Sequence, residues 1–303
     1  TGGIVNVDGG TLQLANGTEA GNYAVASGAT LDLQGSRSFG TGTGISGAGN
    51  LTLSSGSIDF NAGSTLGMAA TGNVSFSGAS VNLNLGSISF ANGLSLLGGS
   101  LGGSSDISVA SATLTAGTLA GSGALTTTGV ASVGDITLSK VWNAQGSTTL
   151  TGANIVRMTN GTINNTGSWN LNGSQTSPLF LNSGTNAFNN AGTVTKTTAT
   201  VASISVPFNN STGGIVNVNG GTLQLGALTQ SGTIQVDTGT TFSKPGGFTN
   251  DGILTGGGTI DVSGGALVNA GTIRPDGGGA DLTGTLTLIG NFTQTGAGTL
   301  ELQ

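Results

Sequence analysis

Thr1-Gly2-Gly3-Ile4-Val5-Asn6-Val7-Asp8-Gly9-Gly10-Thr11-Leu12-Gln13-Leu14 opens the chain and returns at 212–225, where Asn219 in place of Asp8 is the only difference. The match runs on. Gly21 meets Gly232, Val25 meets Val236, Gly28 meets Gly239 and Leu31 meets Phe242. After a short slip, Ser46-Gly47-Ala48-Gly49-Asn50-Leu51-Thr52-Leu53 matches Thr255-Gly256-Gly257-Gly258-Thr259-Ile260-Asp261-Val262. Identity of this length, even in a biased sequence, indicates a duplication of 1–53 at 212–262. A block that is copied whole is built from repeats, and repeats of this kind stack into solenoids.

The segments inside the block read as strands. Thr11-Leu12-Gln13-Leu14, Thr30-Leu31-Asp32-Leu33, Asn50-Leu51-Thr52-Leu53, Ser57-Ile58-Asp59-Phe60, Asn73-Val74-Ser75-Phe76, Ser87-Ile88-Ser89-Phe90 and Thr299-Leu300-Glu301-Leu302 all alternate polar and apolar residues. A period of two sends one set inward and the other to water. No stretch keeps helical spacing, and 59 Gly in 303 residues would cost any helix about 1 kcal/mol at each one. Polar runs such as Gly40-Thr41-Gly42-Thr43-Gly44 read as turns. Strands of four residues are short for a sandwich but suit the coils of a solenoid.

A shorter, degenerate repeat sets the coil length. An apolar residue, any residue, Asn, any residue and Gly recur in Ile163-Asn164-Asn165-Thr166-Gly167, Phe188-Asn189-Asn190-Ala191-Gly192, Phe248-Thr249-Asn250-Asp251-Gly252 and Leu267-Val268-Asn269-Ala270-Gly271. Phe208-Asn209-Asn210-Ser211-Thr212-Gly213 fits with one insertion. If Asn210 and Asn250 lie two coils apart, each coil has about 20–25 residues, and the chain makes about 12–15 coils of one continuous solenoid. Asn165, Asn190, Asn210, Asn250 and Asn269 then stand at equivalent places. Two readings are open for them: a ladder of stacked amides that locks the register, or surface residues that tolerate left-handed turn geometry.

Composition removes several functions. The chain has no Cys and no His, so disulfides, the usual zinc and haem sites and a Ser-His-Asp triad are excluded. Only 6% of residues are charged, with a net charge of −6, so no basic stripe exists for nucleic acid or anionic membrane. No apolar run is long enough to span a bilayer, and the first residues do not form a signal peptide.

The segment Gly265-Ala266-Leu267-Val268-Asn269-Ala270-Gly271-Thr272-Ile273-Arg274-Pro275-Asp276-Gly277, with Gly284-Thr285-Leu286-Thr287-Leu288-Ile289-Gly290-Asn291-Phe292-Thr293-Gln294-Thr295 and Gly298-Thr299-Leu300-Glu301-Leu302, resembles the end of an autotransporter passenger domain. The earlier coils resemble the same family and the filamentous-haemagglutinin-type exoproteins. At the level of words the resemblance covers 263–303, and at the level of pattern most of the chain. It implies a right-handed parallel β-helix displayed by a Gram-negative bacterium at or beyond its outer surface.

Sites of chemistry are scarce. Separations near one coil length can align Asp32 with Asp59, or Asp237 with Asp261, as a carboxylate pair of the kind a glycosidase uses. Each of the four, however, reads as an ordinary outward polar residue. Asp276-Gly277-Gly278-Gly279-Ala280-Asp281 is a single faint copy of a calcium-binding nonapeptide, which works only in tandem. Trp142, Trp169 and Tyr23 are read as packing residues rather than a sugar platform. Asn-x-Ser/Thr triplets such as Asn16-Gly17-Thr18 follow from composition. Thr41-Gly42-Thr43 and Thr193-Val194-Thr195 are too isolated for an ice-binding array.

The expectation is therefore a structural and adhesive solenoid with no catalytic residue, metal or cofactor. A carbohydrate-active β-helix enzyme is the first alternative and an ice-binding solenoid the second. The opening motif lacks the Phe208-Asn209-Asn210 lead-in that its internal copy has, so either more solenoid or a second subunit is expected to stack on that end. End-to-end self-association and contact with surface glycans are the expected partnerships.

Overall fold

The computed structural model describes residues 2–68, 72–275 and 284–301. The Gly-and-Asp segment 276–281 and the end of the last strand motif, Leu302, lie outside them. No helix occurs among the described residues; every regular element is a β-strand, and the strands pair in parallel. The chain divides into two compact units, Thr1–Gly146 and Ser147–Gln303. Each is a stack of coils, about 13 coils in all among the described residues.

In the first unit each coil has three sides. Asp106–Leu119 shows this within one unbroken strand, which runs around the corners and pairs in turn with Ser87–Phe90, Leu94–Leu96 and Ser100–Gly103. Leu125–Leu138 repeats the course one coil later. On one side Leu12, Leu31, Leu51, Val74 and Leu94 stand in register. On the next, Arg37, Ile58, Val81 and Leu101 do so. The alternation TLDL or SIDF thus becomes geometry: the apolar residues stack on their equivalents, and nearly all are fully buried. Each buried Leu or Phe stabilises the stack by roughly 1.5–3 kcal/mol of removed apolar surface.

The second unit follows the same plan. Thr148, Trp169, Val194, Val216, Ile234, Leu254 and Ile273 form one inward row. Phe188 and Phe208 stack on adjacent coils with centroids 5.0 Å apart and planes 6° from parallel, and Trp169 meets Phe188 edge-on at 5.2 Å.

The duplicated block folds alike in the two units. Ile4 pairs with Asn22 as Ile215 pairs with Thr233, and Thr11 pairs with Thr30 as Thr222 pairs with Thr241. The slip between the copies sits in one turn. Arg37–Phe39 leads to Gly44–Gly47 through residues 40–43, whereas Phe248–Asn250 reaches Ile253–Gly256 through Asp251 and Gly252 alone. Both copies end that next strand in a glycine with positive φ, Gly47 at 129° and Gly256 at 115°. A Cβ at either would lie 2.1 Å from the carbonyl oxygen of Val25 or Val236 in the coil beneath, so only glycine fits.

Candidate functional site

The five recurrent Asn residues are inside. Asn165, Asn190, Asn210, Asn250 and Asn269 have no exposed surface, and each ends its strand one step before the turn. They fall in one register with Gln230 and Gln294. Asn165 Nδ2 donates to Asn190 Oδ1 at 2.8 Å, Asn190 to Asn210 at 2.8 Å, and Asn210 to Gln230 Oε1 at 2.9 Å. A second run takes Asn250 to Asn269 at 2.9 Å and Asn269 to Gln294 at 3.1 Å. These steps span 25, 20, 20, 19 and 25 residues, which are the coil lengths.

Each amide also braces a corner. The same Nδ2 of Asn190 reaches the carbonyl of Ile215, that of Asn210 the carbonyl of Thr233, and that of Asn250 the carbonyl of Thr272. Every such acceptor is in or beside the strand that follows the turn in the next coil. The ladder is interrupted once. Gln230 Nε2 turns to the carbonyl of Gly232 at 2.8 Å, and Asn250 Oδ1 is left without a donor. The left-handed geometry that would put a recurrent Asn on the surface belongs instead to Asn160, at φ 56°.

A second amide row runs outside. Asn189 donates to Asn164 at 2.9 Å and Asn209 to Asn189 at 2.8 Å, in the direction opposite to the inner ladder.

The Asn pattern passes over Gln230 and Gln294, although Leu228-Thr229-Gln230-Ser231-Gly232 and Phe292-Thr293-Gln294-Thr295-Gly296 keep it with Gln for Asn. So does Gly17-Thr18-Glu19-Ala20-Gly21, with Glu. Glu19 is the centre of a polar cluster in the first unit. Arg37 Nη1 pairs with its carboxylate, both side chains being buried, and Arg37 Nη2 donates to the carbonyl of Ala15. Tyr23 Oη donates to Glu19 at 2.7 Å. Burial, and then the Glu19 carboxylate, push the Tyr23 phenol up to about 12.

Two lysines are also inside. Lys196 stands in register between Leu171 and Val218, and its ammonium is held by the Thr198 carbonyl, by Thr198 Oγ1 at 2.8 Å and by the Gly220 carbonyl at 3.3 Å. Burial lowers its pKa. Lys140, 3% exposed, has no hydrogen-bond partner for its Nζ; burial lowers it to about 8, with Asp106 pulling the other way.

The candidate carboxylate pairs do not form. Asp32 stands opposite Gln13 and Thr52, while Asp59, on another side of the coil, stands opposite Ser38 and Asn82. Asp261 faces Ser243 and Ile289, and Asp237 follows the strand Thr233–Val236. The coil length alone suggested alignment, but the pairs fall on different sides. Nor is Asp32 a plain outward residue: it is nearly buried and takes hydrogen bonds from Ser54 Oγ, Gln13 and Gln34. Burial raises its pKa, and these donors together outweigh that and hold it below the usual value. Trp142 and Trp169 are both fully buried; Trp142 Nε1 donates to Thr127 Oγ1 at 3.1 Å. Among the described residues no three acids gather as a metal site, and no helix is long and apolar enough to cross a membrane.

Thr193-Val194-Thr195 has no Thr-x-Thr beside it on either neighbouring coil, where Ser168-Trp169-Asn170 and Ile215-Val216-Asn217 stand. Ser147, Ser168, Thr193, Ile215, Thr233, Ile253, Thr272 and Thr299 form one outward row, in which Thr193 has a β-branched neighbour on the next coil. The Ile residues interrupt the hydroxyls. Comparison with protein-family models, with curated proteins and with solved structures finds no match for this chain.

Proposed function

We propose that this chain is a structural and adhesive segment of a bacterial surface protein or fibre, wound as a right-handed β-solenoid and displayed outside a Gram-negative cell. The observation that carries this reading is the buried amide ladder of the second unit, Asn165 to Gln230 and Asn250 to Gln294, which binds neighbouring coils to one another within each run. A one-coil slip or a lateral shear would break every rung at once, and buried amides without partners are costly. Such an interior serves axial stiffness. Parallel crossovers are right-handed almost without exception, which supports the winding. The likeness of 263–303 to an autotransporter passenger end supports the location.

The ionisable groups support the same reading. They are few, and the closest of them are engaged with one another or with amides: Glu19 with Arg37, Asp32 with Gln13 and Gln34, Asp59 with Asn82. Outside, polar rows such as Thr52, Ser75, Ser95, Thr113 and Ser132 offer one small contact per coil, which suits weak multivalent adhesion. Copies adding end to end by backbone pairing would extend such a stack into a fibre.

Electron microscopy of the purified chain over a concentration series tests the proposal, with a whole-cell binding assay beside it. Rods that lengthen with concentration and coat bacterial surfaces are expected. Short dispersed particles that ignore cells but cleave a polysaccharide would overturn it.

A further inference from the structure

Asn is a thermolabile residue, and most so before Gly, whose missing side chain leaves its own N–H uncovered beside the carboxamide. The chain has five such pairs: Asn16-Gly17, Asn92-Gly93, Asn160-Gly161, Asn172-Gly173 and Asn219-Gly220. Rearrangement needs two free groups. The glycine nitrogen attacks the Asn Cγ, so the carboxamide must turn toward it and the N–H must not be held elsewhere.

Four of the pairs fail this condition. Asn16 Oδ1 accepts from the Ser36 N–H at 2.6 Å, and Asn172 Oδ1 accepts from Thr197 Oγ1 at 2.8 Å. Asn92 Nδ2 donates to Asn73 Oδ1 at 2.8 Å. Asn160 Oδ1 accepts from the Thr185 N–H at 3.0 Å, while the Gly161 N–H donates to Asn186 Oδ1 at 2.7 Å. Each of these carboxamides must first give up a bond that a neighbouring coil supplies.

Asn219 differs. It is exposed, and among the described residues neither its carboxamide nor the Gly220 N–H makes a hydrogen bond. The backbone around it, by contrast, is held. The Asn219 N–H donates to the Lys196 carbonyl at 2.8 Å, and the Gly220 carbonyl accepts from Lys196 Nζ at 3.3 Å. Packing also demands the glycine, since a Cβ on Gly220 would lie 2.1 Å from the Thr197 carbonyl oxygen. A free side chain thus stands on a fixed corner beside an uncovered N–H.

The other copy of the duplicated block shows what this corner tolerates. Asp8-Gly9-Gly10 stands there in place of Asn219-Gly220-Gly221, and Gly10 and Gly221 take the same left-handed turn, at φ 65° and 58°. A carboxylate at this place leaves the turn intact.

We propose that Asn219 is a self-modification site, at which the folded chain converts an amide into a carboxylate with age. The Gly220 nitrogen bonds to Asn219 Cγ, the side-chain nitrogen leaves with the glycine proton as ammonia, and a succinimide ring closes. Water then opens the ring at either carbonyl, giving aspartate or isoaspartate. One water is consumed, one ammonia is released and nothing is oxidised. The new carboxylate adds one negative charge to the formal −6 of the chain. The two products differ beside Lys196. Aspartate keeps the backbone, as Asp8 does. Isoaspartate lengthens it by one methylene directly before Gly220, which draws the Gly220 carbonyl away from an ammonium whose other acceptors are both on Thr198.

The test is peptide mapping by mass spectrometry of the folded full chain, held for several weeks in mildly alkaline buffer at body temperature, with a sample in urea beside it. In the folded chain Asn219 should convert about fivefold or more faster than Asn16, Asn92, Asn160 or Asn172, because each of those must first lose a hydrogen bond. In urea the five should convert at similar rates. Asn219→Asp should melt with the parent, and the isoaspartyl fraction, separated by chromatography, should melt lower. Conversion of Asn219 no faster than the other four in the folded chain would overturn the site. An equal lead in urea would overturn it too, because the cause would then lie in the local sequence and not in the fold. An isoaspartyl fraction that melts with the parent would overturn the link to Lys196.

Discussion

Phe39 and Phe60 in the first unit occupy the register positions of Asn250 and Asn269 in the second. The rings stack with centroids 4.5 Å apart and planes 3° from parallel; the amides donate from coil to coil at 2.9 Å. Both pairs are fully buried. Strand spacing of about 4.8 Å explains how one backbone accepts both, because it suits the stacking of any flat side chain on its copy. The difference lies in what holds the stack. Rings need volume filled. Amides need partners, and an amide that loses one is left with a buried polar group.

Removing volume from the aromatic stack should have the largest effect. Phe60→Ala is expected to cost about 3–5 kcal/mol in chemical denaturation, the usual price of a large cavity. Asn190→Ala should follow at about 2–3 kcal/mol, because it strips the acceptor of Asn165 and the donor to Asn210 together. The neighbouring Asn189→Ala, on the outer row, should cost well under that. If Asn189 and Asn190 prove equivalent, the inner ladder contributes nothing that the outer row lacks.

The lysines extend the contrast. Lys196 has three oxygen acceptors and Lys140 Nζ has none. The folded pKa of Lys140 is about 8, against about 10.4 in the unfolded chain. Between those values the unfolded state binds more protons, so stability should climb as pH rises from about 8 to about 10.4. Lys140→Met should remove that slope and raise the melting temperature at pH 7, since a buried charge without a partner is replaced by an apolar side chain. A slope that persists in Lys140→Met would assign the titration to another group. The smallest expected change is a gain: Gln230→Asn should donate to the orphaned Asn250 Oδ1 and stabilise the second unit by about 1 kcal/mol.

Much of this architecture was legible because a solenoid repeats its own evidence. The alternation in Thr30-Leu31-Asp32-Leu33 sufficed for a strand, and the spacing of Asn165, Asn190 and Asn210 sufficed for a coil. The spacing could not say which way those Asn side chains point, because inward ladder and outward turn share one period; the strand's last position, with the apolar residue two places earlier, is what sends them in. Gln230 escaped because the pattern was written with Asn, although Gln carries the same amide one methylene further out. Pairing Asp32 with Asp59 failed for a related reason. A coil has three sides, and a separation near one coil length still lands on the wrong side when turns differ in length. The Glu19–Arg37 pair is a chance of sequence as far as any periodicity goes; only superposing the two copies shows it standing where Gln230 and Phe248 stand.

Hydrogen exchange of side-chain amides tests the central claim most directly. Followed by NMR, the Nδ2 protons of Asn165, Asn190, Asn210, Asn250 and Asn269 should be resolved and protected over hours, while those of exposed Asn182 exchange at once. If the ladder amides exchange as fast as Asn182, the inner amide ladder does not exist, and the account of how these coils hold together is wrong.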